Sequence, residues 1–298
     1  MPPGAGDDGD DVYTFGTNPT AAARLALLAE VYEAGTRALL ARWCPPSPEH
    51  AVDLGCGPGH TTLLVHAASG AGRTTGVERS SEYAAAARAL AAEHGVAASG
   101  PADGPADSPG GRPAGGPAGG VTIVEADVTR EPLPVDEADV VHARFLVTHL
   151  AAPRAAVRLW GGLLRPGGRL LLQEVSRLVS REPVLGRYYE LVAELQAHHG
   201  QALDVGPDLP AIAADAVAPP GSGLVVEHVT TRSWHPPIAA MATLHVLNLR
   251  TWRTDRYASR AFDPDELDAL DDALAAIAHG APSEPVEQDL TEVVVTRP

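Results

Sequence analysis

Only two cysteines, Cys44 and Cys56, occur in 298 residues, so no disulfide framework can organise this chain, and Cys56 sits inside a glycine-rich turn. Basic residues are also few: 22 bases stand against 38 acids, for a net charge of −16. So acidic a surface repels polyphosphates, and no cluster of bases offsets it, which argues against nucleic acid or an anionic membrane as partner. No stretch is long and apolar enough to span a bilayer, and residues 1–11, acidic and rich in Pro and Gly, lack the apolar centre of a signal peptide. The expectation is a cytoplasmic protein. No set of acids or amides shows metal-ligand spacing, so no metal is expected. Internal repeats are absent as well. What remains is ample for a core, with 45% hydrophobic residues in a length suited to one large α/β domain with an elaborated cap.

The organising stretch is Ala51-Val52-Asp53-Leu54-Gly55-Cys56-Gly57-Pro58-Gly59-His60. A short apolar strand ends in an acid, three alternating glycines follow, and Thr61 onwards opens a helix. Glycine at such a tip lets a ligand reach the main chain with no side chain in the way. The usual occupant is nucleotide-like and rests against the helix N-terminus. Asp53 would repel a pyrophosphate, and Pro58 removes an N–H that a phosphate cradle would use. A cationic ligand with an amino group suits the turn better than a dinucleotide does.

The run Asp53-Leu54-Gly55-Cys56-Gly57-Pro58-Gly59 resembles the first motif of the class I S-adenosylmethionine-dependent methyltransferases, small-molecule type, and further pieces follow in the order that resemblance implies. It implies an α/β fold: a doubly wound, Rossmann-like, mostly parallel seven-stranded sheet with a helical cap over the acceptor site. It also implies a cofactor site of Asp53, Gly55, Cys56 and Gly57, with Glu78 and Arg79 at the end of a second strand over residues 73–77. A carboxylate there can accept hydrogen bonds from both ribose hydroxyls. After a third strand at 121–124, Asp127 matches the acid that binds the adenine amine and Val128 the neighbouring backbone N–H; an acceptor-only carboxylate suits an amine donor. A fourth strand at 139–142 runs into Ala143, whose carbonyl would meet the cofactor's ammonium, and Arg144, which would orient its carboxylate or brace the loop. Tyr13, ahead of a helix expected from Pro19 to about Trp43, resembles a lid residue in the same family, or is pinned at the surface.

The rest of the chain reads more coarsely. Residues 95–120 collapse into Gly, Pro, Ala, Asp and Ser and form an insertion unable to bury a core. A helix is expected at 153–164, a turn at 165–168 and a buried fifth strand at 169–175, with Gln173 and Glu174 at its ligand-facing end. Helices are then expected at 183–199, 209–217 and 237–253, strands at 224–231 and 291–296, and a helix opened by the capping box at 263–266. This divides the chain into a lid helix (1–45), a cofactor-binding core (46–175), and acceptor-cap helices with the last two strands (176–298).

Methyl transfer from a sulfonium is an in-line displacement in which the protein supplies alignment and water exclusion. A base is needed only for an acceptor that must lose a proton. His149, His198 and His199 are the candidates, each with a structural role as its alternative, and His142, His235 and His245 stand behind them. The expected partner is a small, apolar or aromatic methyl acceptor of secondary metabolism, modified at O, C or N, and a homodimer is compatible with the sequence. Two other readings are a protein that binds S-adenosylmethionine without methylating and assists a cyclisation, and a nicotinamide oxidoreductase, which Asp53 and Pro58 disfavour.

Overall fold

The computed structural model describes residues 19–97 and 119–298. Tyr13 and most of the 95–120 insertion lie outside them. The described residues build a sheet of seven strands in the order β3-β2-β1-β4-β5-β7-β6. These are β1 (His50–Leu54), β2 (Arg73–Glu78), β3 (Gly120–Glu125), β4 (Ala138–Arg144), β5 (Leu164–Ser180), β6 (Val225–Trp234) and β7 (Val286–Thr296). The first five are parallel, and β7 runs antiparallel to both β5 and β6. The α/β class and the mostly parallel sheet expected from the sequence are both present.

Parallel strands covered on both faces read as unbroken apolar runs, and Arg169-Leu170-Leu171-Leu172 shows why. Leu170 and Leu172 pack with Val52, Leu54, Trp160 and Leu209. Leu171 points the other way and packs with Leu39, Leu40, Val65 and Val140. One face is therefore covered by α5 (Pro153–Gly162) and α7 (Leu209–Val217). The other carries α2 (Glu33–Trp43) and α3 (His60–Ser69). On the β3 side, α4 (Ser81–Glu93) lays Ala84, Ala87 and Ala91 on Val121 and Ile123, and Ser80 caps it by accepting from the Tyr83 N–H at 3.3 Å.

A separate apolar cluster lies beyond the carboxyl end of the sheet. It gathers α6 (Pro183–His198), α8 (Ile238–Trp252), α9 (Ala258–Ala261) and α10 (Pro264–Ala278) around Trp252, Tyr188, Leu191 and Leu249.

Three expectations change. The N-terminal helix is two helices, α1 (Pro19–Val31) and α2, broken at Tyr32. At Tyr32 the backbone shifts to φ −100° and ψ 5°, and its hydroxyl donates to Gln288 Oε1 on β7, 2.5 Å away. The turn at 165–168 is absorbed into β5 as a bulge: Ala138 pairs with Leu164 and Val140 with Arg169, so four residues loop out opposite one, with Gly167 at φ +80°. The capping box at 263–266 is half made. Asp263 caps α10 by accepting from the Asp265 N–H at 3.0 Å, but Glu266 turns instead to Arg187 on α6, at 2.7 Å.

Candidate functional site

β4 ends at Arg144, whereas β5 continues for several residues with only β7 beside it. At that step, over the carboxyl ends of β1, β2 and β4, lies a cavity of about 630 Å³, in the position where open α/β sheets bind ligands and in the size range of small-molecule sites.

The glycine turn forms one wall. Gly55, Gly57 and Gly59 all have positive φ, at +64°, +54° and +93°, which L side chains rarely adopt. Space is short too: a Cβ on Gly59 would lie 2.9 Å from the Ala87 Cβ, and one on Gly55 would lie 2.7 Å from Leu146 Cδ1. The turn's N–H groups are spent internally. Cys56 donates to the Val77 carbonyl at 3.0 Å, and Gly57 donates to Glu78 Oε2 at 2.9 Å. This is no anion cradle, in line with the argument from Asp53 and Pro58. Cys56 itself is buried, and burial raises its thiol well above the ordinary range, with Asp53 and Glu78 adding to the shift.

Asp53 does not line the cavity, contrary to its expected contact with the ligand. It is 1% exposed, and both its oxygens are used: Oδ2 accepts from Thr62 at 2.8 Å, and Oδ1 pairs with His142 Nδ1 at 2.9 Å. Its place is under the turn, tying β1 to α3 and β4. Ala143 is likewise fully buried and absent from the lining, held in register between Leu54 and Leu172.

The other expected residues do converge. Glu78, Arg79, Asp127, Val128 and Arg144 all line the cavity. Glu78 accepts one N–H on each oxygen, from Gly57 and from Ser80 at 2.8 Å. An ionised carboxylate has about four acceptor positions, so Glu78 keeps acceptor capacity for a ligand beside these bonds. Burial raises the Glu78 carboxyl, and the N–H groups of Ser80, Gly57 and Arg79 oppose that. Asp127 accepts from the N–H and hydroxyl of Thr129, at 2.9 and 2.7 Å, which with Arg130 holds it below the usual carboxylate range against partial burial. Val128 is anchored through its carbonyl, which accepts from Trp160 Nε1 at 2.9 Å. Arg144 donates to the hydroxyls of Thr36 and Thr61, at 2.9 and 3.1 Å. Its guanidinium also lies over Phe145 and Tyr32, with centroid distances of 5.4 and 6.0 Å, and burial lowers its pKa to about 10. Phe145 takes φ +54°, a strained setting that aims its ring at Tyr32, 4.8 Å away.

Of the three candidate histidines only His149 reaches the cavity. It sits on a short 3₁₀ turn, Val147–His149, and burial pushes it down to about 4. His198 and His199 do not line the cavity. They lie at the end of α6, where His198 stacks on Tyr257 at 3.9 Å and His199 Nε2 meets Asp255 at 3.2 Å. Their part is to fasten α6 to the segment after α8.

The opposite wall is aromatic and was only loosely legible. Tyr188 and Tyr189 from α6 meet Met241, Leu244 and His245 from α8. Tyr189 Oη is 3.0 Å from His245 Nε2, and Tyr188 stacks on the same imidazole at 4.3 Å. Burial drives His245 down to about 3, so it is neutral at physiological pH. Gln288 and Glu174 complete the wall. Gln288 was missed because the last strand was expected to start only at 291. Glu174 was expected at the ligand-facing end of the fifth strand, and it lines the cavity there. Among the described residues no group of three or more His, Cys, Asp or Glu could hold a metal ion, and no helix is long and apolar enough to cross a membrane.

Residues 52–172 match the family model described as a methyltransferase domain. No curated protein matches the sequence as a relative. Among solved structures, phosphoethanolamine N-methyltransferase 2 of Haemonchus contortus, in complex with phosphomonomethylethanolamine and S-adenosylhomocysteine, is similar with a TM-score of 0.52 at 14% identity, over 92% of this chain and 57% of that one. The same enzyme with S-adenosyl-L-methionine gives 0.52 and 14%, over 92% and 56%. This chain thus spans little more than half of that enzyme. The [4+2]-cyclase SpnF is similar with a TM-score of 0.51 at 19% identity, over 98% of this chain and 86% of that one.

Proposed function

Because residues 52–172 are a class I S-adenosylmethionine-dependent methyltransferase domain, we propose that this protein methylates O, C or N of a small apolar or aromatic acceptor, without a metal. The observation that carries the choice of acceptor is the wall of Tyr188, Tyr189, Met241, Leu244 and His245, which shares one cavity with the glycine turn.

The residues present fit the cofactor. When bound, it supplies a methyl group made electrophilic by a sulfonium. Glu78 has acceptor capacity for the ribose hydroxyls, and Asp127 for the adenine amine. Gly55 and Gly57 leave the main chain bare, and Val128 offers an apolar edge. Arg144, anchored on two neutral hydroxyls, keeps N–H groups for the methionine carboxylate. Asp53 works one step back: by holding Thr62 and His142 it sets the turn, so we assign it as a positioning residue.

Titration calorimetry tests this reading. Micromolar or tighter binding of S-adenosylhomocysteine, weakened in Glu78→Ala, is the expected outcome; wild-type protein that binds neither cofactor nor product would end it. The likeness to a [4+2]-cyclase favours a second reading, in which the cofactor is held while the same apolar wall folds a substrate for ring closure. Conversion of a substrate with no gain of a methyl mass would select it.

A further inference from the structure

Glu174 lines the cavity yet has no part in the reading above. It is 1% exposed and stands where β5 outruns β4. The N–H groups of Leu146 and Val147 both donate to its Oε1, at 2.8 and 2.7 Å. That fixes the carboxyl's direction, and with the Thr148 N–H also acting on the carboxyl Oε2 still keeps acceptor capacity for a ligand. The side chain of Leu146 abuts the glycine turn at Gly55, so Glu174 is one residue removed from the wall assigned to the methyl donor. Its neighbours Val175 and Leu178 line the same cavity together with Tyr188 and Tyr189. Glu174 therefore stands at the boundary between the two compartments.

The surrounding charges leave it alone. Arg144 on β4 is engaged with Thr36 and Thr61, and Glu292 on β7 with Gln173 and Arg232. Arg24 on α1 donates to Asn248, and Arg79 lies beyond the glycine turn after β2. His149 and His245 are held neutral by burial, and burial raises the phenols of Tyr188 and Tyr189. Asp204 and Asp208, on the loop packed behind β5, are acids. Among the described residues no cation pairs with Glu174, and burial lifts its carboxyl to about 8 against the pull of the Val147, Leu146 and Thr148 N–H groups.

We propose that Glu174 takes, through Oε2, the proton that the methyl acceptor gives up, which makes the acceptor a hydroxyl compound or a carbon acid. This rests on the methyl-transfer reading above. The acceptor's oxygen or carbon bonds to the methyl carbon, the methyl–sulfur electron pair stays on sulfur, and the acceptor's proton bonds to Oε2. A sulfonium and a carboxylate become a thioether and a carboxyl, so the cavity carries no net charge from the pair before or after. In the free protein the carboxyl keeps its proton. A sulfonium in the same low-dielectric space favours the carboxylate, so loading the donor expels that proton and readies the base.

The experiment is calorimetry of S-adenosylmethionine and of uncharged S-adenosylhomocysteine binding near pH 7, in buffers of different ionisation enthalpy, for wild type and Glu174→Gln. Gln keeps an oxygen for the two N–H donors, and melting curves check its fold. Wild type is expected to release up to about one proton with the sulfonium and less with the thioether, and Glu174→Gln none. Equal release in the two proteins overturns the proposal. Absence of any binding to wild type removes the methyl-transfer reading instead. For a phenol that the wild type methylates, Glu174→Gln is expected to lower kcat by about 10²-fold or more and to abolish the rise of rate with pH. An unchanged kcat overturns the assignment.

Discussion

The two walls of the cavity are made of different materials. The donor wall is backbone, small residues and acids drawn mostly from consecutive loops: Gly55 to Pro58, Glu78 to Ser80, and Ala126 to Thr129. The acceptor wall is large aromatic and aliphatic side chains drawn from α1, α6, α8 and β7, as in the hydrogen bond from Tyr32 to Gln288 across 256 residues. On the proposed function the first wall meets the methyl donor through main-chain shape, and its crowded glycines leave almost no room for an added atom. The second encloses its ligand by bulk, so its side chains can change identity while the fold stands.

That contrast can be broken or sharpened by substitution. The largest effect is expected from Gly59→Ala, which combines left-handed strain with a Cβ 2.9 Å from that of Ala87. A loss of about 2–5 kcal/mol is expected by denaturant unfolding, together with lost cofactor binding. Asp53→Ala strands Thr62 Oγ1 and His142 Nδ1 in the core and is expected to cost about 2–4 kcal/mol of stability; a loss confined to cofactor affinity would return Asp53 to the ligand. Glu78→Ala should show the reverse pattern, with cofactor affinity falling by about 1–3 kcal/mol. On the acceptor side, Tyr189→Phe removes the hydroxyl beside His245 Nε2. About 1 kcal/mol of stability should go, with cofactor affinity untouched.

Buried groups beside the aromatic wall give stability both an acid and an alkaline flank. His245 and His149 are held at about 3 and about 4, below their ordinary 6.5. The unfolded chain therefore binds protons first, and stability should fall as pH drops below about 6.5. Glu174 is raised to about 8 from 4.5. The folded chain keeps that proton longer, so its contribution is complete below about pH 4.5 and is lost as pH rises through 8. Melting temperature against pH should show both flanks, and Glu174→Gln should flatten only the alkaline one.

The donor wall was readable because its chemistry is local: each acid ends a strand and each glycine lies within five residues of the next. The sheet was readable for the same reason, since two-sided burial writes itself as apolar runs. Asp53 was misjudged because a strand-end acid looks the same whether it points at a ligand or under the turn, and only its partners Thr62 and His142, nine and 89 residues away, decide. The histidines at 198 and 199 failed as candidates because helical position does not reveal which end of a helix reaches a cavity. The bulge opposite Asp139 depends on pairing with β4, which no local pattern in residues 165–168 encodes.

The closeness of Gly59 to Ala87 carries a last consequence. The alanine run of α4 could pass for a habit of nucleotide composition. At position 87, however, the methyl group is already pressed against the tip that shapes the ligand's seat. A valine or leucine there would act on a ligand it never touches, by lifting the floor of a pocket from outside. The plainest residue in the helix is a dimensional standard for the whole binding surface.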